Sequence, residues 1–285
     1  MKTITGIKEF QKLSDSIRAE GKKIGFVPTM GYLHPGHISL VKKSTEQTDV
    51  TIVSIFVNPT QFAPNEDFNK YPRDIEKDKK LLEVNGTDYL FLPDAHDIYP
   101  GNSQTFVEVN EISKKYEGEL RPTHFKGVTT IVSILLNIVK PHITFLGQKD
   151  AQQAAILKRM VKDLHFDTEV EICPIIREKD GLAMSSRNIY LSPEERKSAP
   201  ALYNTLLYGA KFFEDMEMNP QIIIDNMRNQ FSDYKNIQLD YISIVNADNF
   251  QEPLFIEQGN EYYILIAARL GKTRLIDNFL ISLYP

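Results

Sequence analysis

One abrupt change of pattern near the start of the chain restricts its fold more than any other feature. Ile24-Gly25-Phe26-Val27 is an apolar run with the character of a buried strand, and Pro28 is expected to end it. A glycine-bearing turn follows, Met30-Gly31-Tyr32-Leu33, and from Pro35 an apolar-periodic segment runs through Ile38, Leu40 and Val41. Proline is favoured at the first position of a helix, so Pro35 marks a helix start.

The same turn places His34 at the helix cap and His37 one turn further on, with Gly36 between them. A helix N-terminus presents unpaired N–H groups and the positive end of a dipole, which suits phosphate. Two imidazoles beside it can follow negative charge as it moves between phosphoryl oxygens. Gly36, without a Cβ, lets a ligand come close to the backbone. Two unrelated histidines are the plain alternative; the strand before them and the helix after them favour a phosphate-handling device.

The rest of the chain repeats the alternation. Ile7–Ala19 has helical spacing, Asp49–Val57 is a β-branched strand, and Arg73–Val84 is a charged amphipathic helix ending at Asn85-Gly86. Tyr89–Leu92 reads as a strand, Phe106–Val109 as a short one, and Gly127–Val139 as a buried helix. Ile143–Leu146 (strand), Ala151–Leu164 (helix) and Thr168–Ile176 (strand) follow. This pattern implies an α/β domain, a Rossmann-like doubly wound parallel sheet, over residues 1–178. Beyond it, Ser192-Pro193-Glu194-Glu195 starts a long helix to about Asp215, and Pro220–Phe231 looks helical. Leu239–Val245, Tyr262–Ala268 and Thr273–Asp277 look like strands, so a smaller C-terminal α+β domain is expected over 179–285.

Composition removes several function classes. A formal charge of −5 argues against a nucleic-acid binder working through a broad basic face. The lone Cys173, in an apolar run, excludes an intrachain disulfide framework and fits a reducing cytoplasm. The most apolar stretch, Val128–Val139, is 12 residues between lysines, short of the roughly 20 that span a bilayer.

Four polar stretches lie at the ends of expected strands: 28–37, 58–62, 147–153 and 184–187. Lys149 follows a strand and opens a helix, a position from which a cation faces phosphates, with Asp150 and Gln153 beside it. Met184-Ser185-Ser186-Arg187 offers two hydroxyls and a fixed cation on a link that can close over a triphosphate.

Taken together, Pro28-Thr29-Met30-Gly31-x-Leu33-His34-x-Gly36-His37, Phe56-Val57-Asn58-Pro59-x-Gln61-Phe62, Arg121-Pro122-x-His124-Phe125-x-Gly127, Gly147-Gln148-Lys149-Asp150-x-Gln152-Gln153 and Met184-Ser185-Ser186-Arg187-Asn188 resemble the pantothenate synthetases (pantoate–β-alanine ligases), a family within the HxGH nucleotidyltransferases. The likeness runs from about residue 20 to 195. It implies an ATP-dependent, AMP-forming ligase that joins pantoate to β-alanine through a pantoyl adenylate. It further implies ATP contacts from Met30, Gly31, Tyr32, Leu33, His34, Pro35, Gly36, His37, Gly147, Gln148, Lys149, Asp150, Ile176, Met184, Ser185, Ser186 and Arg187. His37 would be the catalytic proton donor, with His34, Lys149 and Arg187 as further catalytic groups. Gln61, Gln153 and Asn58 would meet the organic substrates. Mg²⁺ and a cytoplasmic homodimer complete what the resemblance implies. Tyr32 stands where the motif more often has a small residue, and Gln148 where Glu is also common. No carboxylate declares itself a metal ligand; Asp74 and Asp78, one helical turn apart, are the candidates. A nucleotidyltransferase with a stable nucleotidyl product, or a non-catalytic nucleotide sensor, would share some of these motifs.

Overall fold

The structure is a computed structural model and describes residues 1–63 and 68–283. The chain divides into two compact units, the first comprising Met1–Gly147 and Gln152–Pro174, the second Gln148–Ala151 and Ile175–Pro285.

The first unit is built on six parallel strands: β1 (Lys2–Ile4), β2 (Ile24–Thr29), β3 (Val50–Ile55), β4 (Tyr89–Phe91), β5 (Ile143–Gly147) and β6 (Glu169–Cys173), in the order β1-β4-β3-β2-β5-β6. Phe10, Ile17, Val128, Ile131, Leu135, Leu157 and Met160 pack on one face of the sheet, and Leu33, Ile38, Val41 and Leu82 belong to a second core cluster with Val27, Val53 and Leu90. Helices thus cover both faces, which is the doubly wound architecture the alternation requires. Connections leave β2 toward β3 on one side, while β5 lies on its other side. The crevice at the carboxyl ends of β2 and β5 is therefore the switch point where such sheets take ligands.

β2 runs one residue past the proline expected to stop it. The Thr29 carbonyl accepts the Phe56 amide at 3.0 Å on the β3 side, so Pro28 turns its nitrogen to the other side. There β2 pairs with β5 only at Gly25 and Phe26, and a missing donor costs nothing. Phe106–Val109, by contrast, is not a strand. Among the described residues no strand pairs with it; Thr130 Oγ1 accepts the Val107 amide at 3.0 Å, and the Val107 carbonyl accepts Thr129 Oγ1 at 2.6 Å.

The second unit carries an antiparallel sheet of β7 (Gln238–Asn246), β8 (Glu261–Leu270) and β9 (Thr273–Ser282) in that order. Leu202, Leu206, Phe213, Ile223 and Met227 from two helices pack against Ile244, Ile264 and Ile266. The long helix expected from Ser192 is two helices, Pro193–Ser198 and Ala201–Glu214. Pro200 lies between them, lacking the N–H that would continue the first ladder. Its start is as read: Glu195 N–H donates to Ser192 Oγ and Glu195 Oε2 accepts the Ser192 amide at 2.8 Å.

Candidate active site

The turn after β2 is fixed by Asp78. This aspartate is fully buried in the helix Ile75–Val84, and its two oxygens accept the amides of Tyr32 at 2.7 Å and Leu33 at 2.8 Å. Tyr32 occupies the left-handed region at φ 52°, next to Gly31 at φ 81°. A left-handed non-glycine residue costs about 1–2 kcal/mol. Hydrogen bonds to a charged group contribute about 1.5–3 kcal/mol each, enough to offset it. Burial pushes the Asp78 carboxyl above the usual carboxylate range, and the Leu33 and Tyr32 amides draw it back. A cavity of about 230 Å³ opens beside the turn, lined in part by Met30, Gly31, Tyr32, Ile55, Arg73 and Asp94.

Asp78 is therefore occupied with backbone, and its companion Asp74 caps its own helix by accepting the Lys77 amide at 3.1 Å. Asp78 thus has each of its two oxygens on a backbone amide, while Asp74 uses Oδ1 for its cap. Among the described residues no three His, Cys, Asp or Glu side chains come together as a metal site.

The helix Pro35–Gln47 opens with the two histidines acting as its own cap. Nδ1 of His34 accepts the Gly36 amide at 3.1 Å, and Nδ1 of His37 accepts the His34 amide at 3.3 Å. The rings lie 4.0 Å apart between centroids. An Nδ1 that accepts a hydrogen bond bears no proton, so each neutral ring carries its proton on Nε2. The cap thus sets both the tautomer and the direction of two N–H donors at a helix N-terminus.

The loop after β3 holds Asn58 and Gln61, both buried. Asn58 is a hub: Oδ1 accepts Thr60 Oγ1 and Tyr99 Oη, each at 3.0 Å, and Nδ2 donates to the Gly127 carbonyl at 3.1 Å and to Gln61 Oε1 at 3.2 Å. The Gln61 carbonyl accepts His124 Nδ1 at 2.9 Å and Arg121 at 3.3 Å. Gly127 completes the fit, since a Cβ there would lie 2.5 Å from the Thr60 carbonyl oxygen. The Arg121-Pro122-x-His124-Phe125-x-Gly127 motif thereby gains a function that its residues alone do not disclose: it clamps the backbone that presents the Gln61 amide. Gln153 is half-buried in the first turn of the helix Ala151–Asp163. Its neighbour Gln152 is structural, accepting the Glu117 amide and donating to the carbonyls of Ile112 and Lys115.

The remaining expected residues fall in the second unit, apart from Gly147, which ends β5. Gln148–Asp150 form a single turn of 3₁₀ helix, in which Lys149 Nζ lies 3.4 Å from Asp150 Oδ1. Ile176–Met184 is a short hairpin: Ile176 accepts the Met184 amide at 3.0 Å, Glu178 N–H donates to Leu182 O at 2.8 Å, and Arg177 bridges to Ala183. It delivers Ser185, which caps the turn Ser186–Tyr190 by accepting the Arg187 amide at 3.3 Å. Ile176, Met184, Ser185, Ser186 and Arg187 are therefore consecutive features of one hydrogen-bonded segment.

The Asp78 anchor escapes sequence reasoning. A buried aspartate facing amides 45 and 46 positions away leaves no local trace. The one available hint is an acidic residue on the apolar side of a helix, where carboxylates are rarely found unless partnered.

Comparison with known proteins shows the family and the fold. A family model described as pantoate-β-alanine ligase matches residues 2–280. A pantothenate synthetase from Thermotoga neapolitana is 49% identical over 282 residues, covering 99% of this chain and all of that one. One from Caldicellulosiruptor saccharolyticus is likewise 49% identical over 99% and 100% of the two chains. The crystal structure of pantothenate synthetase from Thermus thermophilus superposes with a TM-score of 0.91 at 38% identity and full coverage of both chains. A pantoate-β-alanine ligase from Francisella tularensis, complexed with β-γ ATP and β-alanine, superposes with a TM-score of 0.79 at 38% identity over 98% and 97%.

Proposed function

This chain belongs to the pantoate–β-alanine ligase family, and from that membership we propose how its own residues share out the reaction. The protein makes pantothenate from pantoate and β-alanine at the expense of ATP. A pantoate carboxylate oxygen attacks the α-phosphorus of ATP. The bond to the bridging oxygen breaks, and pyrophosphate leaves behind a pantoyl adenylate. The β-alanine amine then attacks the acyl carbon, the acyl–oxygen bond breaks, AMP departs with the electron pair, and the amine proton is released.

Attack of a carboxylate on a triphosphate brings like charges together, so donors and cations must gather on the phosphate side. His34, His37, Lys149 and Arg187 supply them, with His37 donating a proton toward the departing pyrophosphate. Met30 to Leu33, Pro35, Gly36, Gly147, Gln148, Asp150, Ile176 and Met184 to Ser186 line the rest of the nucleotide. The attacking acid needs the opposite treatment, because a cation bound to it would blunt its nucleophilicity. Neutral Gln61 and Gln153 hold pantoate, Gln61 also meets β-alanine, and Asn58 supports them. Mg²⁺ would be held largely by the ATP phosphates, as suits an ion that dehydrates reluctantly, and would supply further positive charge against the triphosphate. The second unit carries the phosphate-binding Lys149 and Arg187. A cytoplasmic homodimer is the working form by family likeness.

The observation that carries this reading is the histidine cap, which fixes two Nε2–H donors at a helix N-terminus. It is tested by incubating the purified protein with ATP, pantoate and β-alanine and detecting AMP and pantothenate by mass spectrometry. Pantoate-dependent exchange of pyrophosphate into ATP, without β-alanine, isolates the first step. Its absence in a protein that forms pantothenate would remove the adenylate from the scheme.

A further inference from the structure

The C-terminal strand β9, beyond the region that carries the family motifs, grips both nucleotide-side segments of the second unit. Asn278 is buried, and its side-chain amide is fully used: Nδ2 donates to the carbonyls of Gln148 at 2.9 Å and Lys149 at 3.0 Å, and Oδ1 accepts Gln148 Nε2 at 3.0 Å. Its neighbour Asp277, also buried, receives Arg177 in a bidentate pair at 2.6 and 3.0 Å. Arg177 also donates to the carbonyls of Asn278 at 3.1 Å and Gly181 at 3.0 Å and stacks on Tyr203 at 4.0 Å. Arg177 opens the hairpin that ends at Met184, so its grip fixes the segment delivering Ser185 to Arg187.

A primary amide is suited to this job. The two carbonyls need two N–H donors, Gln148 needs an acceptor, and only Asn or Gln offers that set on one planar group. Turning Lys149 by one misplaced peptide would move its ammonium by several ångströms, and even about 1 Å of misplacement costs on the order of 10² in rate.

We propose that Asn278 is a positioning residue for the adenylation step, holding the Gln148–Lys149 backbone so that Lys149 meets the triphosphate, while Asp277 sets the Ser185–Arg187 segment through Arg177. This rests on the reading of those two segments as the nucleotide site. The consequence is a division between half-reactions: adenylation needs the triphosphate held, whereas aminolysis of a ready-made adenylate has no pyrophosphate to stabilise.

The test compares wild type, Lys149→Ala, Asn278→Ala and Asn278→Asp in three measurements: pantoate-dependent ATP–pyrophosphate exchange, pantothenate formation from supplied pantoyl adenylate plus β-alanine, and thermal denaturation. Asn278→Ala is expected to lose roughly 10²-fold in exchange and to raise KM for ATP, with aminolysis in the wild-type range. Asn278→Asp keeps the shape of the side chain but sets carboxylate oxygens against two carbonyls. It is expected to lose exchange at pH 8 and recover part of it as the pH falls and its carboxyl gains a proton to donate. Should Asn278→Ala fail to fold, the Asp variant carries the test. Equal losses in both half-reactions, or full exchange in a folded Asn278 variant, overturn the proposal. If Lys149→Ala keeps full exchange, the nucleotide-site reading itself has failed; if that variant loses exchange while the Asn278 variants keep it, only the present proposal falls.

Discussion

His124 holds Gln61 by its main chain, with ring Nδ1 2.9 Å from the Gln61 carbonyl oxygen. A carbonyl can only accept, so His124 carries its proton on Nδ1, the opposite tautomer to that imposed on His34 and His37. His124→Ala leaves Arg121 as the remaining donor to that carbonyl. A hydrogen bond worth about 1.4 kcal/mol predicts a rise in KM for pantoate of about tenfold, with KM for ATP little changed. Steady-state kinetics with each substrate varied in turn would show it. An equal rise for ATP would mean the clamp acts on more than Gln61.

Replacing Gln61 by arginine tests why an uncharged amide faces the acid. A guanidinium would bind pantoate more tightly and make its carboxylate a poorer nucleophile. Gln61→Arg is therefore expected to lower pyrophosphate release sharply while binding of pantoate is kept. Wild-type pyrophosphate release from this variant would refute the argument.

His37→Ala and Lys149→Ala each remove one preorganised donor from the phosphate side. Losses on the order of 10²–10³ in turnover are expected, with a melting temperature close to wild type for Lys149→Ala and a modestly lower one for His37→Ala, which also loses its bond to the His34 amide. Near-normal turnover in either would show that its assigned role is wrong.

Asp78→Asn keeps the volume of the buried side chain but replaces one of two acceptors by an NH₂ that faces an amide. The variant is expected to lose about 1–3 kcal/mol in chemical denaturation and a larger share of its adenylation rate, because the strained Tyr32 turn loses its anchor. Gain of stability would mean that relief of the buried charge outweighs the lost bond.

Cys173 gives a test in alkali. Burial, with Glu171 nearby, pushes its thiol up to about 11 from an ordinary 9.0. Since the folded value lies above the unfolded one, the contribution is complete below pH 9 and is lost as the pH climbs toward about 11. At about 1.4 kcal/mol per unit this amounts to roughly 2–3 kcal/mol. Cys173→Ala should show a correspondingly shallower decline in stability between pH 9 and 11. At pH 7.5 the wild-type thiol should react slowly with alkylating agents, which a reagent time course would check.

What the sequence discloses follows the range over which each interaction acts. Pro35, the Ser192–Glu195 cap and the β–α alternation are local statements, written within a few positions, and the structure has them where the pattern puts them. Phe106–Val109 misleads because strand character is only an invitation: without a partner strand, its backbone turns to the hydroxyls of Thr129 and Thr130. The break at Pro200 is legible from proline chemistry, yet the helical pattern on either side masks it. Asp78 with Tyr32, His124 with Gln61 and Asn278 with Lys149 are separated by 46, 63 and 129 positions. Side chains that serve distant backbone leave no periodicity to read.

The chain passes between its two units three times, at 147/148, 151/152 and 174/175. Expressing the two halves as separate polypeptides cut after Pro174 would strand the four residues Gln148–Ala151 on the wrong fragment, and the C-terminal piece would present Asn278 with nothing to grasp. The two units are thus covalently interlaced, and fragment complementation at that junction must bring Gln148–Ala151 of one piece back onto Asn278 of the other.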